Sequence, residues 1–139
     1  YNYDWWKYDT ELMKEFNWFL YKINERSNIQ LGYVDDTYEN VKTGWLAFPL
    51  ILQNKLKDKR REMQIFLEKS GIQTRTIFTG NIMRQPVAKK FEWDSFGSFE
   101  VSDEVMKSGI LLGSHNRQSQ ENLEFIIAKI REGEKKLLS

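Results

Sequence analysis

The sequence predicts an α+β two-layer sandwich, a small mixed sheet of three or four strands covered on one face by helices. Three observations predict it. Apolar residues recur at helical spacing in separate stretches, a nearly continuous apolar run fills residues 45–52, and β-branched or apolar runs stand between the helical stretches. The elements alternate as helix, strand, helix, strand, short helix, strand, helix.

In the first stretch Leu12, Phe16, Phe19, Leu20 and Ile23 keep helical spacing, with Asp9 or Thr10 as N-cap. Residues 28–33 suit a short strand, and the polar residues 35–44 a loop. The run Trp45-Leu-Ala-Phe-Pro-Leu-Ile-Leu52 reads as a strand buried on both faces. Pro49 removes one ladder donor, so that strand is expected at an edge or to carry an irregularity. A helix is expected from about Leu56 to Ser70, with Leu56, Met63, Phe66 and Leu67 inward and Gly71 as its stop. Residues 72–79 read as a strand and 80–86 as a loop. Ser102 to Ser108 forms a short helix closed by Gly109, and Ile110 to Leu112 a short strand. The last helix has Ser119 as N-cap, Glu121 in its first turn, and Leu123, Ile126, Ile127 and Ile130 as one stripe.

Composition excludes several functions. There is no Cys, so thiolate metal sites, cysteine nucleophiles and disulfides are absent, in keeping with a reducing cytoplasm. With 21 basic and 20 acidic side chains the net charge is +1, which gives no general attraction for nucleic acid or anionic lipid. No apolar run approaches the ~20 residues of a membrane-spanning helix. The basic run from Lys55 to Arg61 is interrupted by Asp58 and reads as a solvated helix face. No glycine-rich nucleotide fingerprint, phosphate loop, nucleophile elbow or paired-histidine zinc motif occurs, so no metal site and no catalytic residue is assigned.

The chemistry-bearing segment is Thr79-Gly80-Asn81-Ile82-Met83-Arg84-Gln85-Pro86, a glycine-containing loop directly after a strand. Asn81 offers amide donors and an acceptor, and Arg84 a forked cation suited to carboxylate or phosphate. The same residues also suit an ordinary turn in which Asn81 caps the backbone and Arg84 meets solvent. Arg75 lies inside the preceding strand, where an arginine usually takes the solvent face. At a domain boundary it would instead reach an anion. His115 is the single histidine, in a loop before the last helix, where a structural hydrogen bond suffices to explain it. The aromatic residues Tyr1, Tyr3, Trp5, Trp6 and Tyr8 suit packing against something beyond them better than base stacking.

Phe48-Pro49-Leu50, then residues 66–75 (FLEKSGIQTR), then 78–86 (FTGNIMRQP) resemble the C-terminal region of the DegT/StrS-type sugar aminotransferases. The branch they are most similar to is the nucleotide-sugar 3-dehydratases of lipopolysaccharide and deoxysugar biosynthesis. Ser102-Asp103-x-x-Met106 and residues 110–115 (ILLGSH) continue the likeness, which runs over roughly residues 45–131. Residues 87–99 and Asn116-Arg117-Gln118 depart from the family pattern.

This resemblance implies the small domain of the type I aminotransferase fold over 45–139, with 1–44 as an N-terminal helix and lead-in loop of the same unit. It implies a parent enzyme that uses pyridoxal phosphate (PLP), is a cytoplasmic homodimer, and acts on a nucleotide-linked keto sugar. A large domain missing from this chain would hold PLP through a lysine or, in the dehydratase branch, a histidine that is not His115. The fragment alone is therefore expected to bind no cofactor and to be catalytically silent. Gly80, Asn81, Arg84 and Gln85 are expected to face the cleft, with His115 and Arg75 nearby. The rival expectations are a free-standing protein-interaction module with the same fold and, on fold class alone, a nucleic-acid-binding domain.

Overall fold

Side-chain alternation along the central strand decides where the core lies. The computed structural model describes residues 29–31, 47–113 and 119–139. The first expected helix, the 35–44 loop, the N-terminal aromatic residues and His115 lie outside the described residues. In β2 (Ala47–Leu52), Phe48, Leu50 and Leu52 are buried while Ala47, Pro49 and Ile51 are half-buried. One face is therefore fully packed, not both as its continuous apolar sequence suggests.

Four strands form one sheet in the order β1-β2-β4-β3, with β1 at Ile29–Leu31, β3 at Thr74–Thr76 and β4 at Gly109–Gly113. The α+β class and the helix-covered sheet are as expected, but all three pairings are antiparallel, so the sheet is not mixed. The reason is the short helix α2 (Glu100–Ser108) between β3 and β4. The chain returns through it to the end of the sheet at which β3 leaves, so that Thr76 pairs with Ile110, where a parallel pair would need a crossover to the opposite end.

The expected edge position of β2 is also corrected, because it lies between β1 and β4. Pro49 pairs with Leu111 of β4, and the ladder to β1 covers only Leu50–Leu52. Pro49 has β4 on one side, and the position opposite it on the β1 side lies outside the described residues.

The covering layer is α1 (Arg60–Lys69) and α3 (Gln120–Leu138). Met63 and Leu67 of α1 and Leu123, Ile127 and Ile130 of α3 join Leu50, Leu52, Ile110 and Leu112 in one core. The helix expected from Leu56 begins only at Arg60. Asn54–Leu56 is a separate short 3-10 turn, and Asn54 takes φ 50°. The basic run consequently does more than face solvent. Lys57 pairs with Glu104 at 3.1 Å, Lys107 with Asp58, and the Arg60 guanidinium donates to the Met106 carbonyl, fastening α2 to this turn.

The stop of α1 is as expected. Gly71 has φ 82°, its N–H bonds the Glu68 carbonyl, and the Ile72 N–H bonds that of Leu67. These are the two bonds of a Schellman cap, with Ile72 and Leu67 both buried beneath it. At the other end of the sheet layer, the Ser119 hydroxyl accepts the Asn122 N–H at 3.2 Å and so caps α3. Ser119→Ala is expected to lower stability by about 1 kcal/mol and Ser119→Asp to retain it, as read by urea unfolding.

Candidate functional site

The loop after β3 is built by two residues with left-handed backbone. β3 ends at Thr76, short of the expected Thr79, because Phe78 takes φ 43° and turns the chain away from β4. The Gly80 N–H closes that turn onto the Ile77 carbonyl at 2.9 Å. Gly80 itself has φ 64°, and a Cβ there would stand 2.5 Å from Met106 Cγ. Glycine is needed on both counts, and the loop is thereby pressed against α2.

From Gly80 onward the side chains of Asn81, Arg84 and Gln85 each find a partner. Asn81 is only 3% exposed. Its side-chain oxygen accepts the Met83 N–H at 3.0 Å, capping a 3-10 turn over Ile82–Arg84, and its Nδ2 donates to Asp103 Oδ1 at 2.7 Å. Arg84 bonds the same carboxylate through Nε (3.0 Å to Oδ1) and Nη2 (2.7 Å to Oδ2). Gln85 Nε2 donates to the Thr79 carbonyl at 2.8 Å, tying the two ends of the loop together, and Pro86 opens the next 3-10 turn. The loop is thus a rigid element held to α2 by one carboxylate.

The electrostatics agree with the geometry. Hydrogen bonds from the Arg84 guanidinium and then from the Asn81 amide hold the Asp103 carboxyl below its ordinary value. The same carboxylate pushes Arg84 above its ordinary value. Asp103 therefore stays ionised and Arg84 stays charged, with the fork oriented before any ligand arrives. The Arg84 side chain is 55% exposed, and its bonds to Asp103 use Nε and Nη2, which leaves Nη1 for an outside anion.

The expected site residues divide into three groups. Asn81, Arg84 and Gln85 come together with Gly80 as the loop itself. Gly80 and Gln85 also line an open depression of about 490 Å³, with Arg60, Phe78, Ile82 and Val87. Arg75 is exposed, as expected of a strand arginine, and lies apart from Arg84 in a second depression of about 680 Å³. It shares that space with Gln64, Gln73, Thr74, Phe78 and Leu111. Thr76 and Phe78 border both depressions. His115 lies outside the described residues.

Sequence reasoning missed Asp103 and Phe78 as parts of the site. Asp103 entered the sequence reading only within the Ser102-Asp103-x-x-Met106 likeness, and no local pattern signals its bonds to Asn81 and Arg84. Among the described residues no group of three or more His, Asp or Glu side chains could hold a metal ion, and no helix is long and apolar enough to cross a membrane.

Neither depression suits PLP by itself. That cofactor needs a lysine, or in the dehydratase branch a histidine, beside its aldehyde carbon and a charged partner for its ring nitrogen. Among the described residues no lysine, histidine or carboxylate lines either depression.

Comparison with known proteins gives this architecture a context. The chain is 28% identical over 94 residues to the lipopolysaccharide biosynthesis protein RfbH of Salmonella typhimurium, covering 68% of this chain and 22% of that protein. It is 29% identical over 93 residues to the GDP-4-keto-6-deoxy-D-mannose 3-dehydratase of Yersinia pseudotuberculosis, covering 66% of this chain and 24% of that one. The chain thus spans about a quarter of the length of the curated relatives it matches. The solved structure of the E. coli GDP-4-keto-6-deoxy-D-mannose-3-dehydratase with bound hydrated PLP superposes with a TM-score of 0.72 at 18% identity. That match takes in 88% of this chain and 31% of the enzyme, so the fold seen here is one found within a type I PLP enzyme. The sequence model of the DegT/DnrJ/EryC1/StrS aminotransferase family matches residues 11–131, from well before β1 to within α3, and to that family the chain belongs.

Proposed function

We propose that this chain is the C-terminal small domain of a PLP-dependent aminotransferase or 3-dehydratase. Its substrate would be a nucleotide-linked keto sugar of deoxysugar or lipopolysaccharide biosynthesis, and the chain alone would be catalytically silent. One observation carries the reading: the family match runs over residues 11–131, yet the chain spans only 22–24% of two relatives, one named for lipopolysaccharide biosynthesis and one as a GDP-4-keto-6-deoxy-D-mannose 3-dehydratase. The remaining length of such a protein is where the cofactor pocket would lie. In this reading the parent enzyme is a cytoplasmic homodimer, and PLP supplies the electron sink for removing a proton or hydroxyl group from the sugar.

The part of this chain would be positional. Asp103 holds Arg84 and Asn81 so that the loop forms a stiff wall of the cleft, and the Arg84 Nη1 and the turn at Phe78 face outward. A wall that is set in advance needs no reorganisation when the substrate binds, which is how a domain without reacting groups contributes to rate. Phe91, Trp93 and Phe96 are exposed beside this wall. The larger part of the enzyme would cover them.

The test is a PLP titration of the chain, followed by borohydride reduction and mass spectrometry. The expected result is no saturable spectral change and only scattered, substoichiometric lysine labelling. A stoichiometric adduct at one lysine would show a complete cofactor pocket within these residues and overturn the reading.

A further inference from the structure

We propose that Arg75 and Phe78 form a recognition edge for the nucleoside diphosphate portion of a nucleotide sugar, Arg75 holding the anion and the Phe78 ring stacking on the base. The inference rests on the nucleotide-sugar reading above and assigns the nucleotide to the second depression rather than to the loop carrying Arg84.

The first support is a side chain that the fold around it leaves exposed. Among the described residues only Asn54 and Phe78 combine a side chain with left-handed backbone. Asparagine tolerates that region, whereas a bulky aromatic is an outlier there. Phe78 is 77% exposed, so burial returns little for the strained backbone. A glycine would make the same turn with less strain. Strain of this kind persists at sites where a side chain is needed for contact with a ligand.

The second support is the cation beside it. The three arginines near this end of the sheet differ in their engagement. Arg60 donates to the Met106 carbonyl, and Arg84 is forked onto Asp103. Arg75 makes no ion pair among the described residues, although it sits on β3 in register with Leu111 and is fixed by the sheet. A guanidinium presented from a strand suits a phosphate oxygen pair.

The third support is the space. Arg75 and Phe78 line one depression of about 680 Å³ with Gln64, Gln73 and Thr74, and no carboxylate lines it. Glu68, which reaches Thr74, has one oxygen engaged by the Thr74 N–H and hydroxyl. A cation, amide and hydroxyl groups, and an open aromatic face are the elements that hold a planar base joined to a diphosphate.

The experiment is amide NMR of the 139-residue chain titrated with GDP, with guanosine and with pyrophosphate. GDP is expected to shift the amides of residues 73–78 and Gly113 with a dissociation constant in roughly the millimolar range, the strength of a half-site. Phe78→Gly is expected to abolish the guanosine response and keep the pyrophosphate response, while Arg75→Gln does the reverse. Each weakens GDP by about tenfold. Phe78→Gly should also raise the melting temperature by roughly 3 °C, so that its loss of binding is not loss of fold. GDP shifts confined to residues 82–87 would overturn this assignment while leaving the nucleotide-sugar reading in place. No GDP response anywhere, or a Phe78→Gly variant that melts lower, would overturn it as well. The PLP titration tests the parent reading separately.

Discussion

Gly80→Ala is expected to destabilise the protein by about 2–5 kcal/mol, combining roughly 1–2 kcal/mol for left-handed backbone with about 1–3 kcal/mol for overpacking. The backbone part follows from φ 64° and the packing part from a Cβ placed 2.5 Å from Met106 Cγ and 2.6 Å from its Cβ. Relief requires α2 to move, and α2 carries Asp103, so the same substitution should loosen Arg84 and Asn81. Gly71→Ala separates the two contributions. Gly71 also has left-handed backbone, with φ 82°, but nothing lies within 4 Å of an added Cβ. Its loss should be confined to about 1 kcal/mol of backbone strain. Denaturant unfolding of both variants gives the difference directly. A gap of 1 kcal/mol or more assigns it to the contact with Met106. Equal losses would mean that the loop does not press on α2, and the rigid wall proposed for the cleft would lose its basis.

How much of this was readable beforehand depends on whether the deciding interaction was local. The last helix was legible because its stripe, its cap and its first-turn acid lie within a few residues of one another. The stop at Gly71 was legible for the same reason. The α+β class followed from the alternation of such segments. The antiparallel sheet did not, since strand direction is fixed by how a connection returns, and α2 is short enough to be read either way. Pro49 misled in a similar manner. The missing donor is a local fact, but whether its strand lies at the edge or between β1 and β4 is a tertiary one. β3 was drawn too long because Ile77, Phe78 and Thr79 have strand-forming side chains, and nothing in that composition signals the φ of 43° at Phe78.

At the candidate site the loop was legible and its support was not. Asn81 and Arg84 were singled out by type and position, and the structure brings them together. What joins them is a carboxylate 22 and 19 residues further along, on a different element. The ordinary-turn reading holds for Asn81, whereas Arg84 meets Asp103 and not solvent alone. Asn81 caps the backbone as an ordinary turn would, and Arg84 is held as a fork with one amino group still facing out. The family resemblance read from the same residues is shown by the match over 11–131. The division of labour within the loop, by contrast, required the distances to Asp103.

Asn81→Asp should expose that division most sharply, because it keeps the cap and reverses the contact with Asp103. The new carboxylate still accepts the Met83 N–H, but it replaces an amide donor that stands 2.7 Å from Asp103 Oδ1. Two carboxylates at that separation cannot both ionise, so one of the pair is pushed up. In the native protein the Asp103 carboxyl is lowered, first by Arg84 and then by Asn81. A lowered folded value gives stability that is present above the unfolded value and lost as pH falls through the folded one. A raised value does the opposite, giving stability that is present below the unfolded value and lost as pH rises through the folded one. The gap between native protein and variant should therefore be small near pH ~4 and widen toward pH 7, to a melting-temperature loss of roughly 5–10 °C. Asn81→Ala removes the donor without adding charge, so its smaller deficit should change far less with pH. Melting curves of the three proteins across this range decide the matter. A pH-independent deficit in Asn81→Asp would mean that Asp103 is held by Arg84 alone, and that the buried amide serves only as a cap.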